Sequence, residues 1–114
     1  MDWKDYLDNT NAALAKLRGV QPAAAEGFSG LHHAGMAAGS MSVREKELVA
    51  LGIGISKQCL DCIGFHVRAA AKAGATREDI AETVSVAVVM GGGPAFMYGS
   101  KALDAYDQLV GTDG

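Results

Sequence analysis

The segment KQCLDCIGFHVRAA, residues 57–70, places Cys59 and Cys62 three positions apart and His66 four beyond the second cysteine. Three chemistries could use such a set. Two thiols at this spacing can close and reopen a disulfide while a neighbouring imidazole takes up a proton. The same side chains could supply part of a zinc site, or the cysteines could be small apolar groups packed in a core. On a helix the spacing i, i+3, i+7 brings all three onto one face. A free thiol has a pKa near ~8.5, and a helix N-terminus, a second thiol or an imidazole lowers it, so position decides how much reactive thiolate exists. A zinc site needs a fourth ligand, for which only His32 or His33 is left, and there is no second CxxC.

Glu47 is the other candidate. It falls on the helical stripe of Val43, Leu51 and Gly54, where a carboxylate without a partner is costly to bury. An imidazole such as His66 could be that partner, the carboxylate orienting the ring and the ring taking a thiol proton. Solvent, Arg44 or Arg68 would satisfy it equally well.

These residues must be positioned by helices. Apolar residues recur at i, i+3, i+4 between glycine-rich breaks, and the chain has two prolines. A first helix carries Trp3, Tyr6, Leu7, Ala13, Leu14 and Leu17 on one stripe, and Gly19 and Pro22 end it. Pro22 suits the opening turn of a second helix reaching about Ala38. SVRE at Ser42 to Glu45 is a capping box that starts a third helix, running to about Ile55. The dithiol segment opens or lies within a fourth, ended by Gly74, and TRED from Thr76 caps a fifth. Gly91 to Gly93 then break the chain, and Pro94 begins a sixth helix through Val110, with the tail GTDG fraying. VSVAVVM is β-branched enough for a strand, but one strand makes no sheet. The expectation is one all-α domain spanning residues 1–114, a bundle of about six helices.

Bulk composition narrows the function. At 114 residues, 49% hydrophobic and 20% charged, the chain suits one folded domain rather than a disordered or membrane protein. A net charge of −3 without a Lys/Arg cluster excludes the electrostatic footprint of nucleic-acid binding. The acidic start MDWKDYLDNT does not read as a secretory or transit signal, so the cytoplasm is expected, where a lone cysteine pair is seldom a structural staple. His32 and His33 point about 100° apart on a helix, so at most one can serve the site and packing is their ordinary role. GGGP lacks the GK[ST] of a phosphate loop and reads as a tight connection, while Met36, Met41, Met90 and Met97 read as core or interface packing. The apolar run VSVAVVMGGGPAFMYG exceeds what so small a domain can hide, which predicts a homo-oligomer.

Taken together, residues 43–106, with LHHAGMAAGSMS upstream, resemble the AhpD-like alkylhydroperoxidase branch of the carboxymuconolactone decarboxylase superfamily. In that branch a glutamate precedes the first cysteine of a CxxC by twelve residues and a histidine follows the second by four, positions held here by Glu47 and His66. The resemblance implies an all-helical thiol oxidoreductase that reduces peroxides or another small electrophile, drawing on a dithiol reductant and no metal, flavin or other cofactor. By carry-over Cys62 is the peroxidatic cysteine and Cys59 the resolving one. The sulfenic acid formed on the first condenses with the second to a disulfide. The resemblance further implies a trimer or hexamer, the hexamer preferred. The decarboxylase branch typically lacks the dithiol, which argues against lactone decarboxylation. One departure stands out: the best-studied form of the motif has a histidine where this chain has Asp61. An aspartate beside a thiolate raises its pKa unless something compensates.

Overall fold

A computed structural model describes residues 1–111. Five helices follow one another without an intervening strand among those residues: α1 (Trp3–Val20), α2 (Pro22–Met36), α3 (Val43–Ser56), α4 (Leu60–Lys72) and α5 (Arg77–Leu109). The expected fraying of GTDG falls, from residue 112 onward, outside the described residues.

Local chemistry sets most boundaries. Asp2 caps α1 by accepting from the Asp5 amide, and Pro22 opens α2. Both anticipated capping boxes form, Ser42 with Glu45 at α3 and Thr76 with Asp79 at α5. Gly74, at φ 102, follows the end of α4 as the sequence predicts.

The fifth and sixth expected helices run on as one element, but Gly92 interrupts it with φ 68 and ψ −149. Only a residue without Cβ adopts that conformation readily. The chain doubles back there: Arg77 at one end bonds Asp107 at the other, Nε to Oδ1 at 2.8 Å. A Cβ on Gly99 would run into Val84, so the two arms lie in close contact. The break that Gly91 to Gly93 announce is therefore a reversal.

The core lies where α3, α4 and the arms of α5 meet, built from Leu51, Ile55, Ile63, Val67, Ile80 and Tyr106. The N-terminus is locked onto it. Trp3, fully buried, donates from its indole to Asp104 at 3.2 Å and from its backbone to Gln108 at 2.8 Å. Gly64 on α4 makes room for this, because a Cβ there would lie 2.9 Å from both Trp3 and Leu7.

Of the stripe expected on α1, only Trp3 and Leu7 are buried, and Leu14 and Leu17 face outward. Helix α2 buries none of its residues, and Phe28 and Leu31 on it are exposed. Met90 and Met97 are also outside the core, at 82% and 65% exposure, alongside Val86, Val89 and Phe96. This removes core packing as their role. Helix α5 is long and apolar enough in composition to cross a membrane. The reversal at Gly92 divides that apolar run between two shorter arms.

Candidate active site

Three residues, Lys57 to Cys59, end α3 and start α4. The Gln58 amide bonds the Ile55 carbonyl and the Cys59 amide bonds the Gly54 carbonyl, a Schellman ending with Gln58 in the left-handed position at φ 59. Cys59 then serves as N-cap of α4, its Sγ accepting the Cys62 amide at 3.2 Å. Cys59 thus lies just outside the helix, and the shared face anticipated for three helical positions belongs to Cys62 and His66 alone. A non-glycine residue in the left-handed region costs roughly 1 kcal/mol, and here it directly precedes Cys59.

Cys59 and Cys62 are joined as a disulfide, with their Cα atoms 5.2 Å apart. Close packing against α3 fixes the second of them: a Cβ built on Gly54 would lie 3.0 Å from the Cys62 Cβ. Both sulfurs sit at the first turn of α4, where unpaired amides and the helix dipole favour negative charge.

His66 follows Cys62 by one turn. Its Nδ1 lies 2.7 Å from Glu47 Oε2. Glu47, 5% exposed, is the buried charged residue among the described residues. An ionised carboxylate only accepts, so Nδ1 carries the proton and Nε2 is left as the basic atom of the ring. The alternatives for Glu47 are otherwise engaged: Arg44 reaches Asp79 at 3.4 Å and the Arg68 guanidinium lies 5.6 Å above the Phe65 ring. An open cavity of about 730 Å³ between α3 and α4 is bordered by Glu47, Arg44 and Lys72, and the cysteines take no part in its lining.

Of the adjacent histidines, His32 comes to the site. Its ring stacks on that of His66 with centroids 6.5 Å apart and planes 23° from parallel. Lys46 fastens the end of α2 that carries it, donating to the carbonyls of Gly35 and Ala37 at 3.0 and 2.5 Å. Among the described residues no three His, Cys, Asp or Glu side chains converge as metal ligands.

Asp61, between the two cysteines, turns to α1. Thr10 donates to its Oδ1 at 2.6 Å. Burial, together with the charge of Asp61 and a hydrogen bond to it, pushes the Tyr6 phenol above its usual pKa. Neither Thr10 nor Tyr6 is recognisable as a site residue from the sequence, since each is separated from Asp61 by more than fifty positions. Gln58 is equally hidden, because glycine is the usual signal for its conformation.

A helical chain whose CxxC opens a helix, with a glutamate-bound histidine one turn on, has relatives. A model of the carboxymuconolactone decarboxylase family matches residues 22–105. An uncharacterized protein of Cupriavidus necator is 41% identical over 108 residues, covering 95% of this chain and 96% of its own. An uncharacterized protein of the cox locus of Paracoccus denitrificans is 32% identical, covering 93% and 96%. Among solved structures, a carboxymuconolactone decarboxylase family protein of Legionella pneumophila superposes with a TM-score of 0.90 at 39% identity, covering 94% of this chain and 96% of its own. One from Thermotoga maritima, for which involvement in the antioxidative response has been suggested, gives 0.83 at 24% identity, covering 95% and 92%, a likeness of fold. The family match over most of the chain and the two relatives above 30% identity rest on the same helices that build the site, and the chain belongs to the carboxymuconolactone decarboxylase family.

Proposed function

We propose that this protein is a dithiol oxidoreductase that reduces a peroxide or a comparable small electrophile. The observation that carries the reading is the Cys59–Cys62 pair at the N-terminus of α4 with the Glu47–His66 hydrogen bond one turn beyond. In the reduced state the Nε2 of His66 takes the Cys62 proton, and Glu47 holds the ring in the tautomer that can do so. The Cys62 thiolate attacks the terminal peroxide oxygen, the O–O bond breaks, and the alkoxide leaves as the alcohol after taking a proton. The Cys59 thiolate then attacks the sulfenic sulfur. The S–O bond breaks, the leaving hydroxide takes up the proton that the Cys59 thiol released and departs as water, and the disulfide forms. The Cys62 amide that bonds Cys59 Sγ favours a thiolate on the resolving cysteine. An external dithiol returns two electrons and two protons through thiol–disulfide exchange. We place this cycle in the cytoplasm, where such reductants keep cysteines reduced.

The working form in this reading is a homo-oligomer, with the hexamer preferred over the trimer. Phe28 and Leu31 on α2, Ile53 on α3, and Val89, Met90 and Phe96 on α5 are large apolar residues more than half exposed on one chain. Sedimentation of the purified protein checks this, and a monomer at micromolar concentration removes it.

Peroxide consumption with a dithiol reductant tests the activity. The wild type turns over, and Cys62→Ser loses activity while keeping its helical spectrum. Full turnover by Cys62→Ser removes the proposal. If peroxides fail as substrates while small disulfides are reduced at a rate that depends on both cysteines, the electrophile changes and the dithiol chemistry stays.

A further inference from the structure

Asp61 raises a physical problem. It occupies the second position of α4, between the two cysteines, and a carboxylate there opposes ionisation of either thiol. Other groups around the start of α4 are already committed or lie on the opposite side of the balance. From α2, His32 stacks on His66, and from α3, Glu47 is hydrogen-bonded to His66 while Lys57 is the exposed cap residue that precedes Gln58. On α4 itself the remaining titratable group near the pair is His66.

The geometry separates Asp61 from its neighbours. Successive positions on a helix turn by about 100°, so adjacent side chains leave in different directions. Cys62 packs on α3 at Gly54, whereas Asp61 reaches α1, where Thr10 Oγ1 donates to Oδ1 at 2.6 Å. A hydrogen bond this short to an ionised acceptor belongs to the strong class. Tyr6, one turn before Thr10 on the same helix, presents its phenol to the same carboxylate.

We propose that Tyr6 and Thr10 of α1 are positioning residues for the dithiol, whose hydroxyls hold the Asp61 carboxylate against α1 and offset its charge so that the cysteine pair can ionise. This rests on the dithiol reading above and adds a role for α1 to it. The hydrogen bond from Thr10, with the Tyr6 phenol beside it, stabilises the carboxylate where it is and reduces its potential at the sulfurs. Without them the side chain is free to turn over the first helical turn, where the same amides that favour a thiolate also attract a carboxylate.

The test is the alkylation rate of each cysteine in the reduced protein as a function of pH, read by mass spectrometry. It requires no peroxide, so a failed peroxidase assay does not bear on it. In the variant combining Tyr6→Phe and Thr10→Val, the thiol pKa rises by about one unit, which slows alkylation about tenfold at neutral pH. Adding Asp61→Asn to that variant restores the rate, and Thr10→Ser alone keeps it. Unchanged alkylation in the double variant overturns the proposal, and so does a slowed rate that Asp61→Asn fails to restore. A double variant that does not fold leaves a second arm. Asp61→Asn in the wild-type background changes the rate by less than about twofold if the hydroxyls offset the charge. An acceleration of about tenfold there means that they do not.

Discussion

Glu47 and His66 are nineteen residues apart in the chain and 2.7 Å apart in the fold, a buried carboxylate bonded to the ring nitrogen that faces it. The bond joins α3 to α4 and fixes which ring nitrogen is basic, so it acts on stability and on chemistry together.

These two contributions separate by substitution. Glu47→Gln retains an acceptor for Nδ1–H and removes the charge, so the protein folds with near-native stability and loses about a hundredfold in kcat/KM for the reduction. His66→Ala strips the buried carboxylate of its partner and costs about 1–3 kcal/mol in urea unfolding as well as the activity. Equal stability losses in both variants would contradict this division.

Gln58 carries strain that glycine would relieve. Gln58→Gly raises stability by about 0.5–1 kcal/mol, since the left-handed position at the end of α3 is then occupied without a Cβ penalty. Thermal unfolding reads this as an increase of a few degrees. A decrease shows that the Gln58 side chain makes a contact worth more than the strain.

Gly64 tests the seating of α1. A methyl group there meets Trp3 and Leu7 at 2.9 Å. Gly64→Ala costs about 1–3 kcal/mol by overpacking and shifts Trp3 fluorescence, because the indole must leave its fully buried site. Gly39→Ala is the control, since nothing lies within 4 Å of a Cβ at that position.

Acid should loosen the helix starts and the α5 reversal. The Arg77 guanidinium bonded to Asp107, the Thr76 amide bonded to Asp79 and the Ser42 amide bonded to Glu45 hold each carboxyl below its ordinary pKa. A depressed carboxyl stabilises the fold above its unfolded pKa, near ~4, and that contribution disappears as pH falls through the folded value. Tm therefore falls on the acid side of pH ~4, and Asp107→Asn, which has no proton to gain there, shows a shallower decline. Salt reduces the Arg77–Asp107 part, because Arg77 is exposed and Asp107 is partly open to solvent.

The sequence determined what local hydrogen bonding determines. The caps at Ser42 and Thr76, the stop at Gly74 and the break at Gly91 to Gly93 depend on residues within a few positions of one another, and each occurs where the chain places it. The CxxC and the histidine one turn later were legible for the same reason, and the family resemblance singled out Glu47, with His66 one of several partners open to it. Tertiary structure decided the rest: that Glu47 bonds His66, that Asp61 is drawn to Thr10, that His32 covers the ring, and that α5 folds back to join Arg77 to Asp107. Those contacts join helices distant along the chain, and their geometry follows from how side chains of several helices interlock, which no neighbouring residue encodes. Cys59 lies at the boundary between the two, since its N-cap role is local but depends on the left-handed Gln58 that the packing of α4 against α3 maintains.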